Sequence, residues 1–261
     1  MKEWRLIIDT KPLSGSWNMA VDDFLLRSLG DAPQTILRFY AWERPTVSLG
    51  YSQKAHKAVD VDLCKKNGVD IVRRMTGGKL VLHHREVTYS LCSSDAETFT
   101  PLLRDSYKQI SEGLIMGLEK MGLTPSLAQD PPISTKKGDL PCFAFPAQNE
   151  IEVGGEKIVG SAQRREGTRF IQHGSIPLAD DEGLLASVSI QKEEIQELRM
   201  TSLSQALERD VGFAWAVKHL AVGMSEYFNA HLIPMTLTAE EKESILQIQS
   251  ERYARPDWTF L

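Results

Sequence analysis

The feature that most constrains this chain is a change of period along its length. Up to about residue 176, short apolar runs alternate with turn signals and two well-capped helical stretches. From Lys192 onward the apolar spacing turns helical. Period-two segments become strands and 3.6-residue periods become helices, so an α+β domain follows: a mixed β-sheet with flanking helices and a helical C-terminal segment. The first segments read as a strand over Arg5–Asp9 and a helix over Asn18–Leu29 capped by Ser16. Strands then follow over Thr35–Tyr40 and Thr46–Tyr51. Asp60 caps a short helix, and strands are expected at Val69–Arg73, Leu80–His83 and Val87–Ser93. Thr100-Pro101 reads as the start of a helix reaching about Met121, a hydroxyl cap followed by proline.

Residues 124–141 hold four prolines and read as a loop. A hairpin is expected from Glu150 to Arg164 around Gly154-Gly155, then a strand over Arg169–Ile176. Helices follow at 192–199, 202–208, 213–229 and 239–251. No internal repeat or low-complexity linker divides the chain, so one domain is expected over 1–261. Its core would cover about 31–235, and a helical extension about 236–261.

Composition removes several function classes. The formal charge of −5 argues against a nucleic-acid partner. No apolar run approaches the roughly 18 residues that a membrane span needs, and the Leu6-Ile7-Ile8 run is too short for a secretory signal. The three cysteines, Cys64, Cys92 and Cys142, form no C-x-x-C pair. An odd count without a framework reads as reduced thiols in a cytoplasmic protein. The six histidines match no zinc spacing, so no metal site is expected.

Three stretches carry chemistry. In Arg73-Arg74-Met75-Thr76-Gly77-Gly78-Lys79-Leu80-Val81-Leu82-His83, two glycines let backbone approach a ligand, and the arginines can pair with a carboxylate or phosphate. The pattern is neither a P-loop nor a dinucleotide fingerprint, and taken alone it is also compatible with a plain turn. The second stretch is Cys142-Phe143-Ala144-Phe145-Pro146. A cysteine on a loop can be a reactive thiolate, whereas Cys64 and Cys92 read as packing residues. The third is Lys157-Ile158-Val159-Gly160-Ser161-Ala162-Gln163, whose small residues leave room for an extended ligand. Its lysine could stabilise a thiolate or a developing oxyanion, or could simply be a surface lysine. His173-Gly174 on the next strand could line the same cavity, or could be a satisfied core histidine.

With these blocks, the chain resembles the biotin/lipoate protein ligase superfamily, and within it the LipM-type octanoyltransferases. The resemblance also rests on Asn18-Met19-Ala20-Val21-Asp22, on Arg38 to Trp42 with Pro45, and on Ser48 to Gln53. Thr88-Tyr89-Ser90, Pro146 and Gln172-His173-Gly174-Ser175 extend it. The Cys142-Phe143 block, 15 residues before Lys157, is the part similar to the octanoyltransferase branch. Leu80, Ala147 and Asn149 depart from the family's usual residues.

The resemblance implies a mixed-sheet fold with an acyl tunnel along Gly77-Gly78 and Gly160-Ser161-Ala162. It implies Cys142 as the acyl-thioester nucleophile and Lys157 as the group that lowers its pKa. Arg73, Arg74, Thr76, Gly77, Gly78, His83, Gly160, Ser161, Ala162, His173 and Gly174 are then expected at the substrate. It implies octanoyl-acyl carrier protein as donor and a lipoyl-domain protein as acceptor, either the glycine cleavage H protein or a 2-oxoacid dehydrogenase E2, with no cofactor. An ATP-dependent lipoate-protein ligase on the same fold, which would need ATP and Mg, is the first alternative. A non-catalytic acyl- or cofactor-binding protein is the second.

Overall fold

The computed structural model describes residues 1–128, 150–190 and 199–261. Eleven strands lie in the described residues: β1 (Lys2–Ile8), β2 (Thr35–Tyr40), β3 (Thr46–Leu49), β4 (Asp70–Arg73), β5 (Val81–His83), β6 (Glu86–Ser93), β7 (Pro125–Leu127), β8 (Ile151–Val153), β9 (Glu156–Glu166), β10 (Arg169–Pro177) and β11 (Ala230–Pro234). Eight form one sheet in the order β11-β1-β2-β6-β10-β9-β8-β7, and β4-β3-β5 form a second. β1 runs parallel to both β11 and β2, and the strands from β2 to β7 pair antiparallel. Gly154 and Gly155, with φ of 63° and 81°, make the β8–β9 turn. Two consecutive positive φ values suit the twist of a tight hairpin and exclude most side chains.

Helices cover both faces of the large sheet, so its central strands are apolar on both sides. All six residues of β2 are buried. Leu37 and Phe39 pack with α4 (Leu103–Lys120) and α7 (Phe213–Phe228), while Ile36 and Tyr40 pack with α1 (Gly15–Ser28). Ile110, Leu114 and Leu118 recur every four residues on α4 and are fully buried. Each such side chain contributes about 1.5–3 kcal/mol on burial. α4 crosses α7 where Gly117 meets Gly223: a Cβ at 223 would lie 2.2 Å from the Gly117 nitrogen.

The small sheet packs with α2 (Ala55–Ala58), α3 (Val61–Lys66) and α5 (Glu182–Val188) around Val47, Leu49, Cys64, Val81 and Leu185. The remaining described helices are α6 (Leu203–Ala206), α8 (Ala239–Ile248), which continues as a π turn over Gln249–Tyr253, and α9 (Pro256–Thr259). Ile245 and Tyr253 bury against α1. Among the described residues no helix is long and apolar enough to cross a membrane.

Several local expectations shift. The cap of α1 is Ser14, whose hydroxyl accepts from the Trp17 amide, rather than Ser16. α4 starts at Leu103, because the Thr100 hydroxyl turns to the Asp105 carboxylate at 3.4 Å instead of to a backbone amide. Pro125–Leu127, expected within a loop, is a strand. β11, α2, α5 and α9 are additional. Residues 129–141 of the expected loop and the helix at 192–199, save Arg199, lie outside the described residues.

Candidate active site

The site begins with strand alternation. β10 turns Ile171, His173 and Ser175 toward α1, while β6 places Thr88, Ser90 and Cys92 on the same side. Across from them stand β3 and β5 of the small sheet, and the gap between the two sheets is a cavity enclosing about 350 Å³, part of it open to solvent. Arg74, His83, Gly160, Ser161, Ala162, His173 and Gly174 line it, seven of the expected residues. Gly174 has no room for a side chain, since a Cβ would meet the Gly160 carbonyl oxygen at 2.7 Å. Ser48, Tyr40, Trp42 and Thr88 line it too, and sequence reasoning did not assign them to the site.

Two hydroxyl–imidazole–carboxylate chains border this cavity. In the first, His173 Nδ1 lies 3.1 Å from Asp22 and its Nε2 lies 2.6 Å from the Thr76 hydroxyl. Asp22 also accepts from Arg38, Tyr40 and Ser90 at 2.9–3.0 Å. A carboxylate receiving donors on every side fixes the tautomer: Nδ1 carries the proton and Nε2 accepts from Thr76. Burial would raise the Asp22 carboxyl, but the His173 hydrogen bond and the Arg38 charge outweigh it and hold it below its ordinary value. Burial pushes His173 down, more than its Asp22 partner lifts it, so the ring is neutral near neutral pH.

In the second chain, His83 Nε2 lies 2.7 Å from the Ser48 hydroxyl and Nδ1 lies 2.8 Å from Glu86. The ring stacks on Trp42 with centroids 4.1 Å apart and planes 13° apart. Glu86 accepts from the Trp42 indole at 3.2 Å and from the Thr88 and Ser175 hydroxyls. These partnerships of His83 and Glu86 were not expected from the sequence. Ser48 and Asp22 belong to sequence blocks already singled out, and that membership was the available signal, since their histidines lie 35 and 151 residues away.

The two arginines of the Arg73-Arg74 pair diverge. Arg74 donates to the carbonyls of Ser48, Gly77 and Lys79 at 2.6–3.0 Å and to the Ser48 hydroxyl at 3.0 Å. It therefore braces the glycine loop from inside the cavity. A Cβ on Gly50 would sit 2.0 Å from the Gly78 carbonyl oxygen, so that loop also rests directly on β3's end. Arg73, expected at the ligand, instead points away. Its buried guanidinium bonds the carbonyls of Gly50, Tyr51 and Gln53 and, from the C-terminal segment, those of Trp258, Thr259 and Leu261. Thr76 touches the site through His173, and Gly77 and Gly78 through Arg74 and Gly50.

Lys157 is buried to 3% exposure and its ammonium pairs with Glu150, itself 3% exposed, at 2.5 Å. Its backbone pairs with the segment at Arg199 and Thr201, which runs into a second cavity of about 530 Å³. Ser175 lines both cavities. The Ala128 amide donates to the Glu150 carbonyl at 2.7 Å. The chain thus leaves and re-enters the described structure at one point, beside Lys157. Cys142 lies between, outside the described residues. The other two thiols are buried, and burial raises Cys64 to about 11 and Cys92 well above its ordinary value, so neither is poised as a nucleophile. Among the described residues no three histidine, cysteine or acidic side chains are grouped to hold a metal. The arrangement offers a partly apolar slot, two imidazoles with defined tautomers and one buried ammonium.

Comparison with known proteins adds to this geometry. Residues 14–225 match the model of the lipoyl protein ligase A/B catalytic domain. An octanoyltransferase LipM of Carboxydothermus hydrogenoformans is 37% identical over 100% of this chain and 99% of its own length. One of Kyrpidia tusciae is 38% identical over the same shares. Among solved structures, a lipoate-protein ligase A bound with ATP superposes with a TM-score of 0.85 at 24% identity, over 99% of this chain and 98% of that one. A putative lipoate protein ligase from T. acidophilum with bound lipoic acid gives 0.82 at 23%, over 99% and 100%. At such identities these two structures show the shared fold.

Proposed function

The chain belongs to the lipoyl protein ligase A/B catalytic family, and from that premise we infer that it is an octanoyltransferase of lipoate biosynthesis working through a thioester on Cys142. The observation that carries this reading is its end-to-end identity of 37–38% with octanoyltransferases. The buried Lys157 ammonium beside the point where the Cys142-bearing segment is anchored supports it.

In the first step the Cys142 thiolate attacks the thioester carbonyl of octanoyl-acyl carrier protein, and the carrier's pantetheine thiolate leaves. One thioester replaces another, so the exchange needs no ATP. A nearby ammonium favours the thiolate over the thiol, which is the contribution assigned to Lys157. In the second step a lysine amine of a lipoyl domain attacks the enzyme thioester, the amide forms and the Cys142 thiolate departs. Splitting the transfer in two is covalent catalysis. The octanoyl chain occupies the cavity along Gly160-Ser161-Ala162 and His173-Gly174, beneath the loop braced by Arg74. The glycine cleavage H protein is the first acceptor to try and an E2 lipoyl domain the second. The work is placed in the cytoplasm, where carrier proteins and reduced thiols coexist.

The test is transfer from octanoyl carrier protein to a lipoyl domain with ATP omitted. An octanoyl-lysine product is expected, and Cys142→Ala should lower its rate at least about 10³-fold, the order lost with other covalent nucleophiles. Octanoylation that requires ATP, with pyrophosphate released when free lipoate is supplied, would replace this reading with the ligase one.

A further inference from the structure

The second transfer has a proton requirement that Cys142 and Lys157 do not meet. An acceptor lysine arrives as an ammonium, since its unperturbed pKa is about 10.4, and it must lose a proton before it can attack. Lys157 is held as the cationic half of a buried pair with Glu150. A base for the incoming lysine is therefore sought among the other proton-accepting groups at the cavity.

We propose that the Ser48–His83–Glu86 chain is the proton relay for the acceptor lysine. This rests on the transferase reading above. The acceptor N–H proton passes to the Ser48 oxygen as the Ser48 hydroxyl proton passes to His83 Nε2, leaving a free amine, an intact hydroxyl and an imidazolium. The amine lone pair forms the bond to the thioester carbonyl, the carbon–sulfur bond breaks, and the amide nitrogen's second proton goes to the departing Cys142 sulfur. The imidazolium then returns its proton to water.

Four observations carry the proposal. The relay's two links are 2.7 and 2.8 Å, and both Ser48 and His83 line the cavity. Arg74 donates to the Ser48 oxygen at 3.0 Å, which polarises that hydroxyl toward giving up its proton. Glu86 receives the Trp42 indole and the Thr88 and Ser175 hydroxyls, donors that fix its orientation toward the ring. Stacking on Trp42 fixes the ring. Glu86 is thus a positioning residue.

The charged groups around His83 divide the labour with His173. Glu86 lies three residues along the chain, at the start of β6. Arg74 faces it across Ser48 from the end of β4, and His173 faces it from β10 with Asp22 and Arg38 of α1 and β2 behind. Asp22 shares Arg38 with Asp9, and a charge on His173 is opposed first by burial and then by Arg74 and His83, against its bond to Asp22. Among the described residues, His83 is the cation-forming side chain that pairs with Glu86. Of the two hydroxyls, Ser48 lines the cavity and Thr76 does not, so His83 is the imidazole placed to take up the acceptor's proton.

The experiment uses the full chain. Octanoyl-enzyme is formed from octanoyl carrier protein and isolated, then mixed with a lipoyl domain, and adduct decay is followed by mass spectrometry from mildly acid to about pH 10. His83→Gln and Glu86→Gln are expected still to accumulate adduct but to slow lysine transfer roughly 10²–10⁴-fold at neutral pH. The deficit should shrink as rising pH frees the amine without help. Hydroxylamine, already uncharged at neutral pH, should discharge wild-type and variant adducts alike. Ser48→Ala, which keeps the imidazole, should show the same pH signature if His83→Gln folds poorly. The proposal is overturned by lysine transfer at the wild-type rate in His83→Gln. A deficit that is constant with pH, or equal for hydroxylamine and lysine, also overturns it. The same pH signature found in His173→Gln in place of His83→Gln would move the role to the other imidazole. Failure of the wild type to form any adduct is a separate result: it removes the transferase reading itself.

Discussion

The chemistry of single residues here is decided by what surrounds them more than by their type. Cys64 and Cys92 are buried and sluggish, and Lys157, which could have been a surface lysine, is a buried ion. Arg73 and Arg74 are neighbours in sequence and opposites in role, because successive strand residues face opposite ways. Sequence reasoning assigned both to a ligand. It could not see that carbonyls about 185 residues away receive Arg73. The Asp22–His173 pair yields a prediction with a definite sign. Both folded-state pKa values lie below their ordinary values of 3.8 and 6.5. Each group therefore contributes stability above its unfolded pKa and loses it as pH falls through its folded one. Urea unfolding should show stability declining below about pH 6.5 as His173 protonates, then again below about pH 4 as Asp22 does. Asp22→Asn should cost roughly 3–5 kcal/mol at neutral pH, because it removes one of the two carboxylates at the buried Arg38, Asp9 being the other, and should flatten the acid limb. An unchanged limb in that variant would show that the pair is not coupled to folding as drawn.

Elements legible from the sequence are those whose own pattern decides them. β2, β6, β9, β10 and α7 lie within a few residues of expectation, and Asp60 and Ser202 cap the helices they precede. The missed ones depend on distant partners. β11 is five residues ending in proline, and it becomes a strand because β1, more than 200 residues earlier, offers it an edge. The glycine loop is a similar case. Its sequence announces flexibility, but its position is set by Gly50 beneath and Arg74 beside it. Gly50→Ala should consequently push the Gly77-Gly78 backbone into the cavity, since a Cβ 2.0 Å from the Gly78 oxygen has no rotamer escape. The expected result is a cost of about 1–3 kcal/mol in stability and a larger proportional loss of octanoyl transfer than of stability. Transfer at the wild-type rate would separate that loop from the acyl site.

At the scale of the whole molecule, the change of period along the chain gave the α+β class and the helix-covered mixed sheet, because burial on two faces leaves its mark in composition. The order of strands left no such mark, and neither did the docking of the C-terminal segment under the small sheet. That segment bonds Arg73 through three carbonyls, and the Trp258 indole returns a bond to the Arg73 carbonyl at 3.0 Å. Arg73 in turn holds the Gly50–Gln53 turn against which the glycine loop rests. Removing residues 256–261 should leave the guanidinium without half its partners and lower the melting temperature on the order of 10 °C. A truncated chain that melts with the full one would show that Arg73 does not depend on the segment. The account as a whole turns on one covalent bond. Incubating the full chain with octanoyl carrier protein alone, digesting it and mapping the modified peptide by mass spectrometry should find a single octanoyl group on Cys142, removable by hydroxylamine and absent from Cys142→Ala. An unmodified Cys142, or the same modification persisting in Cys142→Ala, would contradict it.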